Sequence, residues 1–424
     1  MFKQHNIITA VEIGTSKICV LIGEYTDDEL TVIGKGEVPS EGAVVKGEIL
    51  SMDTMIEKLI DAMEQADLQS GHELNNSAIY VMTVTGCDMS SLLSEGTAFV
   101  QNEEHRISEN EIYEAVSNAK ICNLGVDRLA INSFDAYYMI DGTRRSSQPL
   151  YQRASTLKAY SHIIHGNSNR LENFSVILHD AGIDYTPEMI FNPIADIFGL
   201  LSSDEEENGT LLIDFGAGST EYVVICNNGL LASGVIGIGF EHVVNDVAIG
   251  LNLPVNYCRK LLTDGTLEKY TRENVQFIEC RTNSGSVRKI PLESFNRIAD
   301  ARIRELFELI RNKLWKESFW NNLAAGCVLT GGGVKFFQTK TIADQVTELP
   351  SRIGVPFNAK STVPPELNDP AYSTVYGALQ YGYKRAIQDN SRNSSFGNNL
   401  KDKISGFGDT IARTLKNLRN SMNI

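Results

Sequence analysis

Two short stretches of the chain place an acid, small residues and hydroxyls at the end of an apolar run. The first is Glu12-Ile13-Gly14-Thr15-Ser16-Lys17; the second is Asp214-Phe215-Gly216-Ala217-Gly218-Ser219-Thr220. A hairpin needs only about two turn residues. A longer, Gly-rich tip with a carboxylate at its root suits a backbone that wraps a phosphate while the acid holds a metal ion nearby. Each stretch alone has equally the composition of a polar turn. A third glycine turn, Thr330-Gly331-Gly332-Gly333, follows the apolar run Cys327-Val328-Leu329. Three glycines in a row let something flat approach the backbone closely, or simply connect a strand to a helix. Together the three are harder to read as accidental turns than any one of them alone. The "DFG" at Asp214 is not that of a protein kinase: His105-Arg106 is followed by Ile107, and the H-R-D loop and strand lysine of that fold have no counterpart.

The elements that position these turns are legible from periodicity. Ile7–Ile13, Lys17–Gly23 and Leu30–Lys35 read as strands, Thr54–Ala66 as a helix and Ala78–Val84 as a strand. From about Thr85 to Gly166 the texture changes to a polar α+β segment. Ser108-x-x-Glu111 there is a capping box that opens a helix through about Ala119, and strand-like pieces follow at Asp127–Ile140 and Thr156–Ile164. Leu171–Gly182 and Asn192–Leu201 read as helices, the second with Pro193 near its start, and Asp204–Gly209 as an acidic turn. After the second hairpin, Gly237-Ile238-Gly239 turns into a helix, Phe295–Lys313 is a long charged helix, and a helix is expected after the triple glycine. Ser373–Arg385 closes the globular body; Ala386–Asn399 reads as a polar Ser/Asn-rich linker.

Bulk properties narrow the class. At 424 residues the chain is too long for one ordinary core. A net charge of −15 makes it a poor nucleic-acid binder. Seven scattered cysteines without a C-x-x-C pair fit reduced thiols, and no apolar run approaches the ~20 residues of a membrane span. Met1–Asn6 lacks a signal-peptide pattern, so a cytosolic chain is expected.

The order and spacing of the three turns resemble the actin/Hsp70/sugar-kinase superfamily. The insert after Ala78–Val84, with "RISENEIYEAVSNAK" and "INSFDAYYMIDG", is similar to the cell division protein FtsA family. The resemblance implies an α/β, two-lobed actin-like (ribonuclease-H-like) ATPase fold. It would carry an FtsA-type α+β insert subdomain in the first lobe and a C-terminal amphipathic helix. The first lobe would span 1–84 and 167–201, and the insert, expected to make polymer contacts, 85–166. The second lobe would span 202–249 and 319–385, its small subdomain 250–318, the flexible linker 386–399 and the membrane helix 400–424.

The cofactors implied are ATP and Mg²⁺. By the resemblance, Gly14, Thr15, Ser16 and Lys17 would contact phosphates from one lobe, and Asp214, Gly216, Ala217, Gly218, Ser219 and Thr220 from the other. Glu12 and Asp214 would flank Mg²⁺ through waters. Gly237 and Gly239 would lie near sugar and phosphates, Lys260 at the adenosine, and Gly331, Gly332, Gly333 and Val334 on the adenine side. Two departures stand out: the family's glutamate three residues before the lysine is Tyr257 here, and Ser133 replaces a usual Pro. Asn192 aligns with the residue that positions the attacking water in actin-like ATPases. Asn is a poor base, so at most slow hydrolysis is expected, with ATP mainly a structural and polymerisation ligand.

The helix "LESFNRIADARIRELFELIRNKL" resembles the one that receives the C-terminal tail of FtsZ in this family. Arg297, Arg302 and Arg304 would grip that acidic peptide; by spacing alone they are also an ordinary solvated face.

The last segment stands on its own residues. Leu400, Ile404, Phe407, Ile411, Leu415, Leu418 and Met422 form one helical stripe. Lys401, Lys403, Arg413, Lys416 and Arg419 outnumber Asp402 and Asp409. A basic amphipathic helix after a polar linker reads as an anchor on anionic membrane lipids; docking on the chain's own body or a partner is the alternative.

The expected function is an ATP-binding cell division protein of the divisome that polymerises head to tail. It would tether FtsZ filaments, and with them the septal ring, to the cytoplasmic face of the cell membrane. Its partners would be FtsZ, itself, lipids and other division proteins, with no nucleic acid. The alternative is a PilM-like ATPase of type IV pilus assembly. A sugar or acetate kinase lacks a distinctive substrate base here, and an Hsp70-like chaperone lacks chain for a substrate domain.

Overall fold

The computed structural model describes residues 6–27, 29–71, 77–358 and 362–395. The chain opens with strands β1 (Ile7–Ile13), β2 (Lys17–Tyr25) and β3 (Leu30–Pro39) and the short pair β4 (Val44–Val45) and β5 (Glu48–Ile49). Helix α1 (Met52–Ser70) and strand β6 (Ile79–Val84) follow. Next come β7 (Ser90–Phe99), α2 (Glu109–Lys120), β8 (Arg128–Ile140), β9 (Arg144–Ser146) and β10 (Thr156–Asn167). Helix α3 (Ser168–Asp180), β11 (Glu188–Phe191), α4 (Asn192–Leu200) and α5 (Ser203–Asn208) lead to β12 (Thr210–Phe215), β13 (Thr220–Cys226) and β14 (Gly229–Ile236). Then come α6 (Phe240–Leu251), α7 (Val255–Thr263), α8 (Thr266–Arg272), the hairpin β15 (Phe277–Arg281) and β16 (Val287–Pro291), and α9 (Leu292–Leu314). The described chain ends with β17 (Gly326–Thr330), α10 (Thr339–Thr347), β18 (Ser351–Ile353) and α11 (Ser373–Ser395).

The same sheet is built twice. In one, β1, β2 and β3 form an antiparallel meander, and β6 and β11 add in parallel beside β1, giving the order β11-β6-β1-β2-β3. In the other, β12, β13 and β14 form the meander and β17 and β18 add in parallel beside β12. Strands β1 and β12 are therefore equivalent central strands, buried along nearly their whole length, as parallel neighbours on one side require. Each ends at one of the acid-and-glycine turns. The repeat puts the two turns at corresponding sheet edges and lets them meet.

A four-stranded sheet, β7-β10-β8-β9, with α2 on it, is made from the chain between β6 and α3 and has its own small core around Ile107, Ile140 and Leu157. The capping box that opens α2 forms as the sequence dictates, with Glu111 accepting from the Ser108 backbone at 2.8 Å. Long helix α9 buries Phe295, Ala299, Ile303, Leu306, Phe307, Ile310 and Leu314, a 3–4 spacing that faces α6 and α10.

Four local expectations change. Asp204–Gly209 is a helical turn, α5, because Ser202 and Glu205 form a second capping box. The triple glycine opens only a 3-10 turn, Gly332–Lys335; α10 waits until Thr339, since glycine is a poor helix former. Helix α11 does not stop at Arg385 but runs to Ser395. The stretch expected to be a flexible linker from Ala386 is helical there; it holds no Gly or Pro before Gly397. Strand β7 and the β15–β16 hairpin fall in stretches too polar to read as strands. The expected membrane helix, from Leu400 and Lys401 to Met422, lies outside the described residues.

Candidate functional site

The first turn is closed by the Gly14 amide donating to the Lys17 carbonyl at 2.9 Å, and the Ser40 hydroxyl braces it by donating to the Gly14 carbonyl at 2.6 Å. The second, Gly216–Ser219, is held from behind. Two amides of the first turn of α6, Phe240 and Glu241, donate to the Gly216 and Ala217 carbonyls, both at 2.9 Å. The Thr220 hydroxyl donates to the Ile238 carbonyl at 2.7 Å.

The two tips touch. A side chain on Gly218 would begin 2.4 Å from the Thr15 hydroxyl oxygen. The third turn lies over the root of the second: Gly331 has φ +84° and sits so close that a Cβ there would lie 2.2 Å from an Asp214 carboxylate oxygen. Only glycine meets both demands.

Between the turns is a cleft of about 540 Å³, within the range of small-molecule sites. Glu12, Gly14, Thr15, Ser16, Lys17, Asn192, Asp214, Gly216, Ala217, Gly218, Ser219 and Gly331 to Gly333 all line it. Other expected contacts do not. Thr220 is fully buried with its hydroxyl spent on Ile238, and Gly237 and Gly239 back the second turn without lining the cleft. Val334 is packed into the second core. Lys260 is exposed and off the cleft; its neighbour Arg259 lines it instead, one residue being a 100° change of direction on helix α7. Arg259 forks onto Glu241 with two 2.7 Å hydrogen bonds.

Four acids crowd together with few partners, Glu12, Asp214 and Glu221 in the cleft floor and Asp196 buried beneath it. Asp196 accepts from Thr374 at 3.0 Å through one oxygen, and its other oxygen has no hydrogen bond. Glu221 accepts from Ser219 at 2.6 Å and from the Thr85 hydroxyl. One oxygen of Glu12 is buried without a partner. Burial pushes Asp196, Asp214, Glu221 and Glu12 above the usual carboxylate range, and for Asp214 the charges of Asp196, Glu221 and Glu12 add to it.

Lys17 is the near counter-charge. Its ammonium lies 3.7 Å from the centre of the Tyr372 ring and 3.9 Å from Glu37, without a hydrogen bond. Asn192, at the start of α4, also presents a buried amide oxygen that has no partner. Such orphaned polar atoms on a concave wall are what a polar or charged ligand satisfies.

The donor set fits a divalent cation held through water. Among the described residues no three His, Cys, Asp or Glu side chains are placed to ligate a metal directly. Glu12 and Asp214 at the mouth of an acid cluster suit an ion that keeps its own waters.

Sequence reasoning missed Thr85, Asp196, Glu221, Arg259, Tyr372 and Thr374. Glu221 alone had a signal, lying two residues after Ser219 at the start of β13; the others come from distant elements. The arginines of α9 are not idle. Arg302 donates to Asp246 and Glu305, each at 2.6 Å, and Arg304 to Asp300 at 3.3 Å and Gln345 at 2.9 Å; Arg297 is exposed.

The described residues include no helix long and apolar enough to cross a membrane. The fold is that of actin-like ATPases. A PilM–PilN type IV pilus biogenesis complex contains a chain that superposes with a TM-score of 0.58 at 14% identity, covering 89% of this chain and 98% of that one. MreB5 of Spiroplasma citri bound to ADP gives 0.55 at 13% identity, covering 92% and 100%.

Sequence carries the relationship further. The model of the family "Cell division protein FtsA" matches residues 211–377. The cell division protein FtsA of Borreliella burgdorferi is 26% identical over 406 residues, 94% of this chain and 96% of that protein. That of Bacillus subtilis is 27% identical over 386 residues, 91% and 85%. The fold is actin-like, and along nearly its whole length the chain is similar in sequence to cell division proteins FtsA.

Proposed function

We propose that this cell division protein binds ATP with Mg²⁺ in the cleft and links FtsZ filaments to the membrane. The observation that carries the nucleotide reading is the meeting of two acid-rooted glycine turns, one from each repeat of the sheet. Their glycine backbones and hydroxyl residues converge where a triphosphate would lie. Gly14, Thr15, Ser16 and Lys17 on one side, and Gly216 to Ser219 on the other, are the assigned phosphate contacts. Gly331 to Gly333 and Arg259 border the nucleoside end. Glu12 and Asp214 would hold a hydrated Mg²⁺, whose charge would screen phosphates from the acid cluster. A neighbour in fold, MreB5, was crystallised with ADP, which supports the same ligand class here.

Turnover is slow in this reading. Asn192 offers an amide where a base would be wanted. The FtsZ tail would dock on α9 by exchanging the carboxylates that Arg302 and Arg304 now hold for those of the peptide, with Arg297 as a further contact. Segment 85–166 would make head-to-tail contacts, and residues 400–424 would lie on anionic lipid at the division site. Polymerisation would turn many weak anchors into firm attachment. The PilM alternative shares the fold, but the curated relatives by sequence are FtsA proteins, which favours division over pilus assembly.

Two measurements test this. Calorimetric titration of the full chain with ATP and Mg²⁺ should show binding that Asp214→Asn together with Gly218→Ala abolishes. Flotation with vesicles containing anionic lipid should lift the full chain and leave a chain lacking 400–424 in solution. Absence of nucleotide binding overturns the cleft assignment; equal flotation of both chains overturns the anchor.

A further inference from the structure

The two-residue turn between β4 and β5, Lys46-Gly47, has no role in the reading above, yet it is held on several sides beside the cleft. Both residues are left-handed, with φ +52° and +73°, the geometry of a tight hairpin turn. A lysine at such a position is strained relative to the Asn or Gly usually found there. The turn is clamped from below. Arg170, in the first turn of α3, donates to the Gly47 and Thr85 carbonyls and pairs with Asp88. A Cβ on Gly47 would lie 2.4 Å from the Thr85 carbonyl oxygen, so the tip cannot back away.

From that fixed base Lys46 reaches both sides of the cleft. Its backbone amide donates to the Thr15 hydroxyl at 3.0 Å, on the first phosphate turn. Its ammonium donates to the Gly237 carbonyl at 2.8 Å, in the segment that backs the second turn. Gly237 is followed by Ile238, whose carbonyl takes Thr220, and by Gly239, which abuts Ala217. One side chain thus ties a rigid corner of the first sheet's lobe to the support of the opposite turn. The ammonium is spent on a main-chain carbonyl, a directional contact that a wandering surface lysine does not hold.

We infer that Lys46 is a positioning residue that latches the cleft shut, and that the latch must open for ligand to leave. The ligand part of this inference rests on the nucleotide reading; the closure itself does not. With the latch made, Thr15 and Gly218 are in contact and the phosphate turns face each other. With it broken, no other ammonium among the described residues bridges the Thr15 and Gly237 segments, and the lobes are freer to part.

The test uses the full chain with Lys46→Met, which keeps the apolar stem and removes the donors, and Lys46→Arg, which restores a cationic donor. Spin labels at Glu64→Cys on α1 and Glu308→Cys on α9, both exposed, in a Cys87→Ser background, report the distance between lobes. Release of a fluorescent ATP analogue is followed by stopped flow. Lys46→Met should lengthen or broaden the nucleotide-free distance distribution. It should also speed release about tenfold, the scale of one hydrogen bond from a charged donor. Lys46→Arg should restore both to within about threefold of the parent. An unchanged distance distribution in Lys46→Met overturns the latch, as does unchanged release from a parent that binds. A parent that binds no analogue overturns the nucleotide reading, and the distances still decide the latch.

Discussion

Contact between the two phosphate turns can be tested by a double-mutant cycle on Gly218 and Thr15. An alanine Cβ at 218 would start 2.4 Å from the Thr15 hydroxyl and 3.1 Å from its Cβ, with the Lys46 amide at 3.0 Å. The hydroxyl is therefore about 1 Å too close for ordinary contact. Either a turn shifts by that much or the lobes separate. Overpacking of this kind costs about 1–3 kcal/mol, which as lost affinity for Mg-ATP is roughly 5- to 150-fold. Thr15→Gly removes both threonine atoms from the clash. On its own it loses a hydroxyl that accepts from the Lys46 amide, about 1 kcal/mol, or about fivefold. In the double variant the alanine meets only the Lys46 amide, which must yield by a few tenths of an ångström. Titration calorimetry should then find the double variant no weaker than Gly218→Ala alone, a coupling of about 1 kcal/mol or more. If the two losses simply add, within the ~0.5 kcal/mol expected of independent sites, the turns do not touch and the shared cleft is wrong.

Three other outcomes follow from the same geometry. Asp196, Asp214, Glu221 and Glu12 are all held above their unfolded carboxylate values. Their contribution to stability is therefore full below about pH 4 and is lost as pH rises through the raised folded values. Without nucleotide or Mg²⁺, Asp196→Asn should raise the melting temperature at pH 8 by more than at pH 5, and scanning calorimetry at the two values checks the sign. Asn192→Gln lengthens the amide toward the cleft and should raise the ATP turnover rate, by roughly tenfold if water positioning is limiting, with little change in affinity; phosphate release assays decide. Arg259→Ala frees Glu241 beside the cleft and should weaken nucleotide binding by about threefold to tenfold, whereas Lys260→Ala should not change it measurably.

Much of the site was legible because its turns obey strong local rules. A carboxylate at a strand end, followed by Gly and hydroxyl residues, appears at Glu12 and again at Asp214. The capping box at Ser108 and Glu111 likewise formed as written. What was not legible depends on packing across long distances in the chain. Asp196 looks like any helical acid until β12 and α11 bury it, and Thr85 becomes a partner of Glu221 only through 136 residues of intervening chain. Lys260 and Arg259 differ by one position on α7, and the choice of which faces the cleft is made by Glu241 on α6. The length of α11 was misjudged because its polar residues were read as a linker, although polar residues do not by themselves end a helix; a Gly or Pro would have.

The acid cluster and the latch belong to one physical problem. Bringing Glu12, Asp196, Asp214 and Glu221 into a buried floor works against folding, since desolvation and mutual repulsion both disfavour the ionised forms. In their ionised forms the acids would push the two lobes apart, because Glu12 stands on β1 and Asp214 and Glu221 on β12 and β13. Thr15 nevertheless stands against Gly218. Contacts that bridge the lobes offset the repulsion: Thr85 donates to Glu221 within the floor, and at the rim Lys46 donates to Gly237 and touches none of the four acids. Opening and closing then answer to two separate handles. A hydrated cation carrying phosphates relieves the floor, and the Lys46 turn holds the rim. Substituting the floor acids should therefore make closure less dependent on ligand, and substituting Lys46 should make it more so. The Asp196→Asn, Lys46→Met double variant, scored by the distance between α1 and α9, should sit nearer the parent than Lys46→Met alone; a distance as long as that of Lys46→Met would show that the acids do not drive the lobes apart.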